Sequence, residues 1–149
     1  MKIGLQLGYW QKNPTPRFIE LAQVAESLGF DSVWTAEAYG SDCFTPLAAI
    51  AASTKRIRLG TGVMQISART PTCAAMTALT LDHISNGRLI LGVGVSGPQV
   101  VEGWYGQPFT KPLERTREWI QIFRQVIARE EPVEFHGAQY DLPCATGMG

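Results

Sequence analysis

Short apolar runs begin near residues 3, 32, 57 and 89, and each is followed by a stretch whose apolar residues repeat at helical spacing. An interval of ~30 residues is that of a strand–helix–strand unit. Strands joined in this way run parallel, with right-handed crossovers. The runs read "KIGLQLGY", "DSVWTAE", "RIRLGTGV" and "RLILGVGV". The first alternates at Ile3, Leu5 and Leu7, and the last two nearly superimpose as text. Runs rich in Val, Ile and Leu suit strands buried on one or both faces. The fold class read from this pattern is α/β.

The helices carry their own punctuation. Thr15-Pro16, Thr45-Pro46 and Thr70-Pro71 each place a hydroxyl at a cap and proline at the first helical position, where a missing N–H costs nothing. The first helix is expected to bury a stripe of Phe18, Leu21, Ala22, Ala25 and Leu28, and to stop at Gly29. The third is expected from Pro71 to about Ser85, ending at Asn86-Gly87. The fourth is expected to begin near Pro112 and to bury Trp119, Ile122, Phe123, Val126 and Ile127. After it, "PVEFHGAQYDL" alternates at Val133, Phe135, Tyr140 and Leu142 about a glycine, which predicts a small hairpin over 132–143.

Four such units fit two architectures. One is a small open doubly wound sheet. The other is the first half of a (β/α)8 barrel, which occupies ~250 residues when whole. Periodicity alone leaves both open.

Charge and composition exclude several function classes. Lys plus Arg and Asp plus Glu are each 13, so the net charge is zero. No excess of cations is available to neutralise phosphates, and no nucleic-acid partner is expected. No apolar run reaches the ~18 residues of a membrane span, so no membrane role is expected. The N-terminus lacks the apolar block of a signal peptide, which predicts a cytoplasmic protein. Cys43, Cys73 and Cys144 are widely spaced and read as free thiols, as suits that compartment. His83 and His136 stand apart from any cysteine pair, and no metal site is expected.

Several motifs sit at the C-terminal ends of the strands, where parallel α/β folds place their chemistry. "GVGVSG", Gly92 to Gly97, is a literal GxGxxG. A dinucleotide site would need a helix opening at once and an acid at the end of the next strand. Here a long loop is expected from Pro98 to Pro108, and Glu114 and Glu118 fall on a helix. Small residues that admit a ligand to the backbone are the alternative. In "EAYGSD", Glu37 ends the second strand, either as a working acid or as a solvated loop carboxylate, and Asp42 reads as a loop acid. Asp82 and Arg88 flank a helix-to-strand turn and read as a tie across it. Trp10 is a candidate pocket wall.

"LGTGVMQISARTP", Leu59 to Pro71, ends the third strand. Glycines within a strand mark a bulge or a close backbone approach. Thr61, Gln65 and Ser67 can exchange hydrogen bonds but do not readily transfer protons at neutral pH. The helix that starts at Pro71 turns its positive end towards the loop. This is the profile of a cofactor seat.

Taken in succession, "MKIGLQLGYW", "LGFDSVWTAEAYGSD", "RIRLGTGVMQISARTP", "TALTLDHISNGRLILGVGVSGPQVVEGWYG" and "KPLERTREWIQIFR" resemble the luciferase-like monooxygenase family, most closely its coenzyme F420-dependent oxidoreductases. The resemblance covers nearly the whole chain in colinear order. It implies the barrel rather than the open sheet, with a flavin or deazaflavin at the C-terminal mouth. It also implies a bulge in the third strand, commonly with a non-proline cis peptide, against the cofactor's central ring. That feature maps to Gly62-Val63, with Thr61 and Met64 around it. Glu37 matches the acid that hydrogen-bonds the cofactor in deazaflavin members, and Val95, Ser96 and Gly97 match the loop that lines the ring. Tyr9, Trp10 and Tyr39 are the expected walls of the substrate pocket.

Two departures limit the transfer. Sugar-phosphate dehydrogenases of the family carry a histidine where this chain has Ala38, and a glutamate where it has Gly97-Pro98. Their substrate and acid–base mechanism are therefore not expected here. Members are also roughly twice this long, so residues 1–149 read as the N-terminal half of a barrel domain, a truncated form, with the hairpin inside it. The implied activity of the full-length form is hydride transfer between coenzyme F420 and a small organic substrate, by a homodimer. The alternatives are an FMN-dependent monooxygenase using reduced flavin and O2, and a non-catalytic half barrel that binds a partner.

Overall fold

A computed structural model describes residues 1–143. The expected free thiol at Cys144 and the tail "CATGMG" lie outside the described residues. The chain divides into two compact units, one comprising Met1–Gln65 with Thr80–Gly94, the other Ile66–Leu79 with the chain from Val95 onward.

The first unit holds the sheet. Its elements are β1 (Gly4–Gly8), α1 (Phe18–Ser27), β2 (Ser32–Thr35), α2 (Phe44–Ser53), β3 (Arg58–Gln65), the last turns of α3 (Pro71–Ser85) and β4 (Leu89–Gly94). The strands pair in the order β1-β2-β3-β4, all parallel. This sequential parallel order with a helix after each strand is that of half a (β/α)8 barrel.

Alternation along the strands assigns the two faces. Val33 and Leu59 are register partners and both are fully buried. They lie on the face covered by α1 and α2, whose buried Ala22, Ala25, Leu47 and Ile50 complete the core. On the other face Trp34 spreads across its neighbours. A Cβ at Gly60 would lie 2.2 Å from its ring, and one at Gly4 would lie 2.9 Å from its Nε1. Glycine at both positions is the condition for the indole to lie flat there.

Charged side chains tie the loops at the N-terminal end of the sheet. Glu26 Oε1 accepts the backbone N–H groups of Lys55, Arg56 and Ile57 at 2.9, 2.6 and 2.9 Å. Arg88 donates to the carbonyls of Ala51, Thr54, Ile57 and Ser85. The expected tie between Asp82 and Arg88 is replaced: Asp82 accepts the N–H of Leu89 at 3.1 Å, while the Arg88 side chain goes to the carbonyls. Asp31 pairs with Arg58 across β2 and β3.

The helix starts differ from expectation in two of three cases. Thr70 does cap α3, accepting the N–H of Cys73 at 3.3 Å, with Pro71 at the first helical position. By contrast α1 begins at Phe18, after Thr15-Pro16, with Arg17 at the cap in a left-handed conformation (φ +55°) and no side-chain cap. In α2 the cap is carboxylate rather than hydroxyl: Asp42 Oδ1 accepts from Phe44 N and Thr45 N, both at 2.8 Å. A charged acceptor suits the positive end of a helix, and it starts α2 ahead of Thr45-Pro46. The α1 stripe also narrows to Ala22 and Ala25, leaving Leu21 and Leu28 43% and 71% exposed. Gly29 ends α1 as expected, at φ +79°, where only glycine is unstrained.

The second unit contains α4 (Pro98–Val101), α5 (Pro112–Ala128) and an antiparallel pair of short strands, β5 (Phe135–His136) and β6 (Asp141–Leu142). The segment expected as a continuous loop from Pro98 thus opens with a turn of helix. Trp119 and Ile122 of α5 are buried, as are Ala74, Ala75 and Ala78 of α3, whereas Ile127 is exposed. Trp119 stacks on Phe123 with centroids 5.0 Å apart and donates its Nε1–H to the Arg69 carbonyl at 3.2 Å. The expected hairpin is present, and a buried glutamate clasps it. Glu118 Oε1 accepts from Ala138 N, and Oε2 accepts from Gln139 N and Tyr140 N, at 2.8–3.1 Å. Across the two strands His136 lies between Asp141 (2.6 Å) and Glu134 (3.2 Å), and these carboxylates raise its pKa. Among the described residues no helix is long and apolar enough to cross a membrane.

Candidate functional site

The third strand breaks its register where its glycines predict. Pairing with β4 steps from Thr61–Leu91 to Met64–Val93, so Gly62 and Val63 together face the single residue Gly92. The Gly62–Val63 peptide is cis. Opposite the bulge, the Thr61 hydroxyl meets both backbone polar groups of Gly92. It donates to the Gly92 carbonyl at 2.8 Å and accepts the Gly92 N–H at 2.9 Å. One hydroxyl can serve both roles because it carries a donor and two lone pairs.

The bulge sorts its side chains. Thr61 and Met64 are fully buried, while Val63 is 43% exposed. Val63 rests along β4. A Cβ at Gly94 would meet its Cγ2 at 2.7 Å, and one at Gly92 would lie 3.6 Å from its Cγ1. Of the glycines in the GxGxxG, Gly94 therefore admits a neighbouring side chain, whereas Gly92 lies against the Thr61 carbonyl oxygen, 2.3 Å from where a Cβ would be.

Glu37 is the buried acid of this strand end, with only 7% of its surface exposed. Its Oε2 accepts the N–H of Gln65 at 3.0 Å, and its backbone carbonyl accepts Gln65 Nε2–H at 2.8 Å. The carboxylate is thus buried rather than solvated. Gln65 is the residue that the sequence pattern undervalued: a hydrogen-bonding type was evident there, but its partner was not. Its Oε1 is buried without a hydrogen-bond partner.

Tyr9 and Tyr39 lie together with Gln11 and Gly40 around a surface cleft, and both tyrosines are exposed. Trp10 turns its ring edge-to-face onto Phe18, with centroids 5.2 Å apart, while its backbone N–H donates to Ser41 Oγ at 2.9 Å. Gly40 is pressed against the Trp10 carbonyl, where a Cβ would lie 1.5 Å from the oxygen. Val95, Ser96 and Gly97 fall in the second unit. There Ser96 is exposed at φ +60°, Gly97 caps α4, and Val95 joins Ile66, Val101 and Phe109 around a small apolar cavity.

At the strand ends of the first unit the geometry offers a bulged apolar ledge at Val63 and a buried carboxylate at Glu37. The groups that surround them are engaged with backbone: Thr61 with Gly92, Glu37 with Gln65.

Comparison with known proteins identifies relatives of the chain. A protein of Mycobacterium tuberculosis named "Putative coenzyme F420-dependent oxidoreductase Rv3520c" is 63% identical over 153 aligned residues, covering all of this chain and 44% of its own length. The crystal structure of monooxygenase RslO1 from Streptomyces bottropensis superposes with a TM-score of 0.84 at 31% identity, over 95% of this chain and 47% of that one. The oxygenating constituent of 3,6-diketocamphane monooxygenase from Pseudomonas putida, in complex with FMN, has a TM-score of 0.79 at 25% identity, over 95% and 42% of the two chains. The chain thus spans about half the length of the proteins it matches. The sequence profile of the luciferase-like monooxygenases matches residues 2–147, and this chain belongs to that family.

Proposed function

We propose that this chain forms the cofactor-facing part of a deazaflavin-dependent oxidoreductase, and that the whole protein transfers hydride between coenzyme F420 and a small organic substrate. The observation that carries the reading is the bulge of β3, which exposes Val63 beside strand-end positions closed by Thr61 and Glu37. The residues fit a planar ring system. Val63 offers an apolar surface, Gly62 adds no side chain beyond its backbone, and Thr61 and Met64 hold the ledge from within the core. Glu37 fixes Gln65 at the end of the same strand. Tyr9, Trp10 and Tyr39 are proposed to wall the substrate side. When bound, the deazaflavin supplies the hydride chemistry, and the protein supplies position and electrostatics. The 63% identity to a protein named for coenzyme F420 supports this cofactor over others.

The second reading is an FMN-dependent monooxygenase. It is favoured by the likeness to RslO1 and to a monooxygenase solved with FMN. Fluorescence titration of the purified protein with F420 and with FMN separates the two. Saturable F420 binding at least tenfold tighter than FMN binding is expected. Tight FMN binding with no response to F420 would overturn the deazaflavin assignment.

A further inference from the structure

Val63 is held in its exposed position by two residues of different kinds. On one side Thr61 Oγ1 grips both backbone polar groups of Gly92, at 2.8 and 2.9 Å, directly opposite the bulge. On the other, the absence of a side chain at Gly94 leaves the volume that Val63 Cγ2 occupies. An added Cβ would stand 2.7 Å from that methyl, inside van der Waals contact, but 3.7 Å from Val63 Cβ, which is ordinary contact. Gly94 does not adopt a positive φ, in contrast to Gly8, Gly29, Gly87 and Gly106. Its glycine is therefore explained by the space that Val63 needs. The neighbouring Gly92 differs, because a Cβ there would meet the Thr61 carbonyl oxygen at 2.3 Å, a backbone conflict that no side-chain change relieves.

We infer that Thr61 and Gly94 are positioning residues for Val63: Thr61 fixes the height of β4 opposite the bulge, and Gly94 provides the slot that sets the direction of the valine side chain. The functional part of this inference rests on the proposed cofactor seat. The packing part does not. A methyl group at position 94 forces Val63 out of its rotamer, so the ledge presents a different shape to any ring laid against it. The same methyl is harmless once the Val63 methyls are gone, because the remaining Cβ–Cβ separation is already 3.7 Å.

The experiment is a double-mutant cycle of Gly94→Ala and Val63→Ala, read in two ways. Methyl NMR reports the Val63 χ1 rotamer without any cofactor, and F420 fluorescence titration reports the seat. Gly94→Ala is expected to change the Val63 rotamer couplings and to weaken F420 binding about tenfold. The double variant is expected to bind within twofold of Val63→Ala alone, so that the Gly94 substitution costs nothing once the valine is truncated. Thr61→Val, which keeps shape and removes the hydroxyl, is expected to shift the Gly92 amide resonance and to broaden the Val63 methyls. Unchanged Val63 methyls in folded Gly94→Ala protein would overturn the inference. So would an undiminished effect of Gly94→Ala in the Val63→Ala background. If the unmodified protein binds no F420, the proposed cofactor fails, and the methyl spectra still decide the positioning pair.

Discussion

Gln65 is bound to Glu37 at two points, its backbone N–H to the carboxylate and its side-chain amide to the carbonyl of the same residue. The pair joins the end of β2 to the end of β3 away from solvent. Removing the carboxylate strands a buried N–H, which costs about 1–3 kcal/mol. Glu37→Ala is therefore expected to lower unfolding free energy by roughly that amount in urea titration. Glu37→Gln keeps an acceptor and is expected to lose less. Equal losses in the two variants would show that the Glu37 contact with Gln65 contributes nothing of its own.

Glu26 ties the α2–β3 connection through three backbone donors. Burial pushes its carboxyl up, but the N–H groups of Arg56, Ile57 and Lys55 and the charge of Arg56 outweigh burial, and the net shift is downward from 4.5. A depressed folded-state pKa means that the stabilisation is present above the unfolded value and is lost as pH falls through the folded one. The acid limb of the stability profile below pH 4.5 is expected to flatten in Glu26→Gln, measured by thermal melts from pH 3 to 6. An unchanged acid limb would assign it to other carboxylates.

His136 gives the opposite sign. Hydrogen bonds donated by the ring to Asp141 first, then to Glu134, raise its pKa above 6.5. A raised pKa makes a contribution that is complete below the unfolded value and is lost as pH rises through the folded one. The hairpin is therefore expected to loosen on the alkaline side of 6.5. In an NMR titration the His136 ring should titrate above 6.5, and Asp141→Asn should bring it back towards that value. A midpoint at or below 6.5 in the unmodified protein would contradict the contact.

The hairpin has a second support in Glu118, which holds three consecutive N–H groups of its turn. Because Ala138 is exposed and Gln139 only partly buried, water can replace part of what is lost. Glu118→Ala is expected to cost about 1–2 kcal/mol and to remove hydrogen-exchange protection at Gln139 and Tyr140 first. Retained protection at those amides would show the turn to be self-sufficient.

These cases also mark what a linear reading of the chain can reach. The four strands, the end of α1 at Gly29, α3 and the hairpin follow from local signals: apolar period, glycine and proline. The bulge at Gly62-Val63 follows from glycine inside a strand together with family resemblance. The partnerships do not. Glu37 meets Gln65 across 28 positions and Glu26 meets Lys55 across 29, and neither residue is unusual in its own neighbourhood. Asp42 looked like a loop acid because the competing Thr45-Pro46 signal lay three residues on. Gly92 and Gly94 formed part of a literal GxGxxG because their true constraints, the Thr61 carbonyl oxygen for Gly92 and the Val63 side chain for Gly94, sit on another strand. Local propensity fixes where elements are; only the folded register reveals which side chain each glycine makes room for.

Trp34 and Gly60 provide a test of that register in the sheet itself. They are paired residues on β2 and β3, and the indole covers the glycine so closely that an added Cβ would lie 2.2 Å from the ring. Gly60→Ala must lift the ring from the sheet, and overpacking of this kind costs about 1–3 kcal/mol. The ring also sits against Gly4 and holds its Nε1–H on Ser32 Oγ at 2.9 Å, so displacement breaks a second contact. Unfolding free energy and the accessibility of Trp34 to acrylamide are the measurements, the latter in a protein whose other three tryptophans are replaced by phenylalanine. Loss of stability with increased quenching is expected. In the Trp34→Ala background the Gly60→Ala cost should fall to a few tenths of a kcal/mol, since little remains for the new methyl to strike. A cost that persists there would place the constraint on Gly60 in the backbone rather than in the indole.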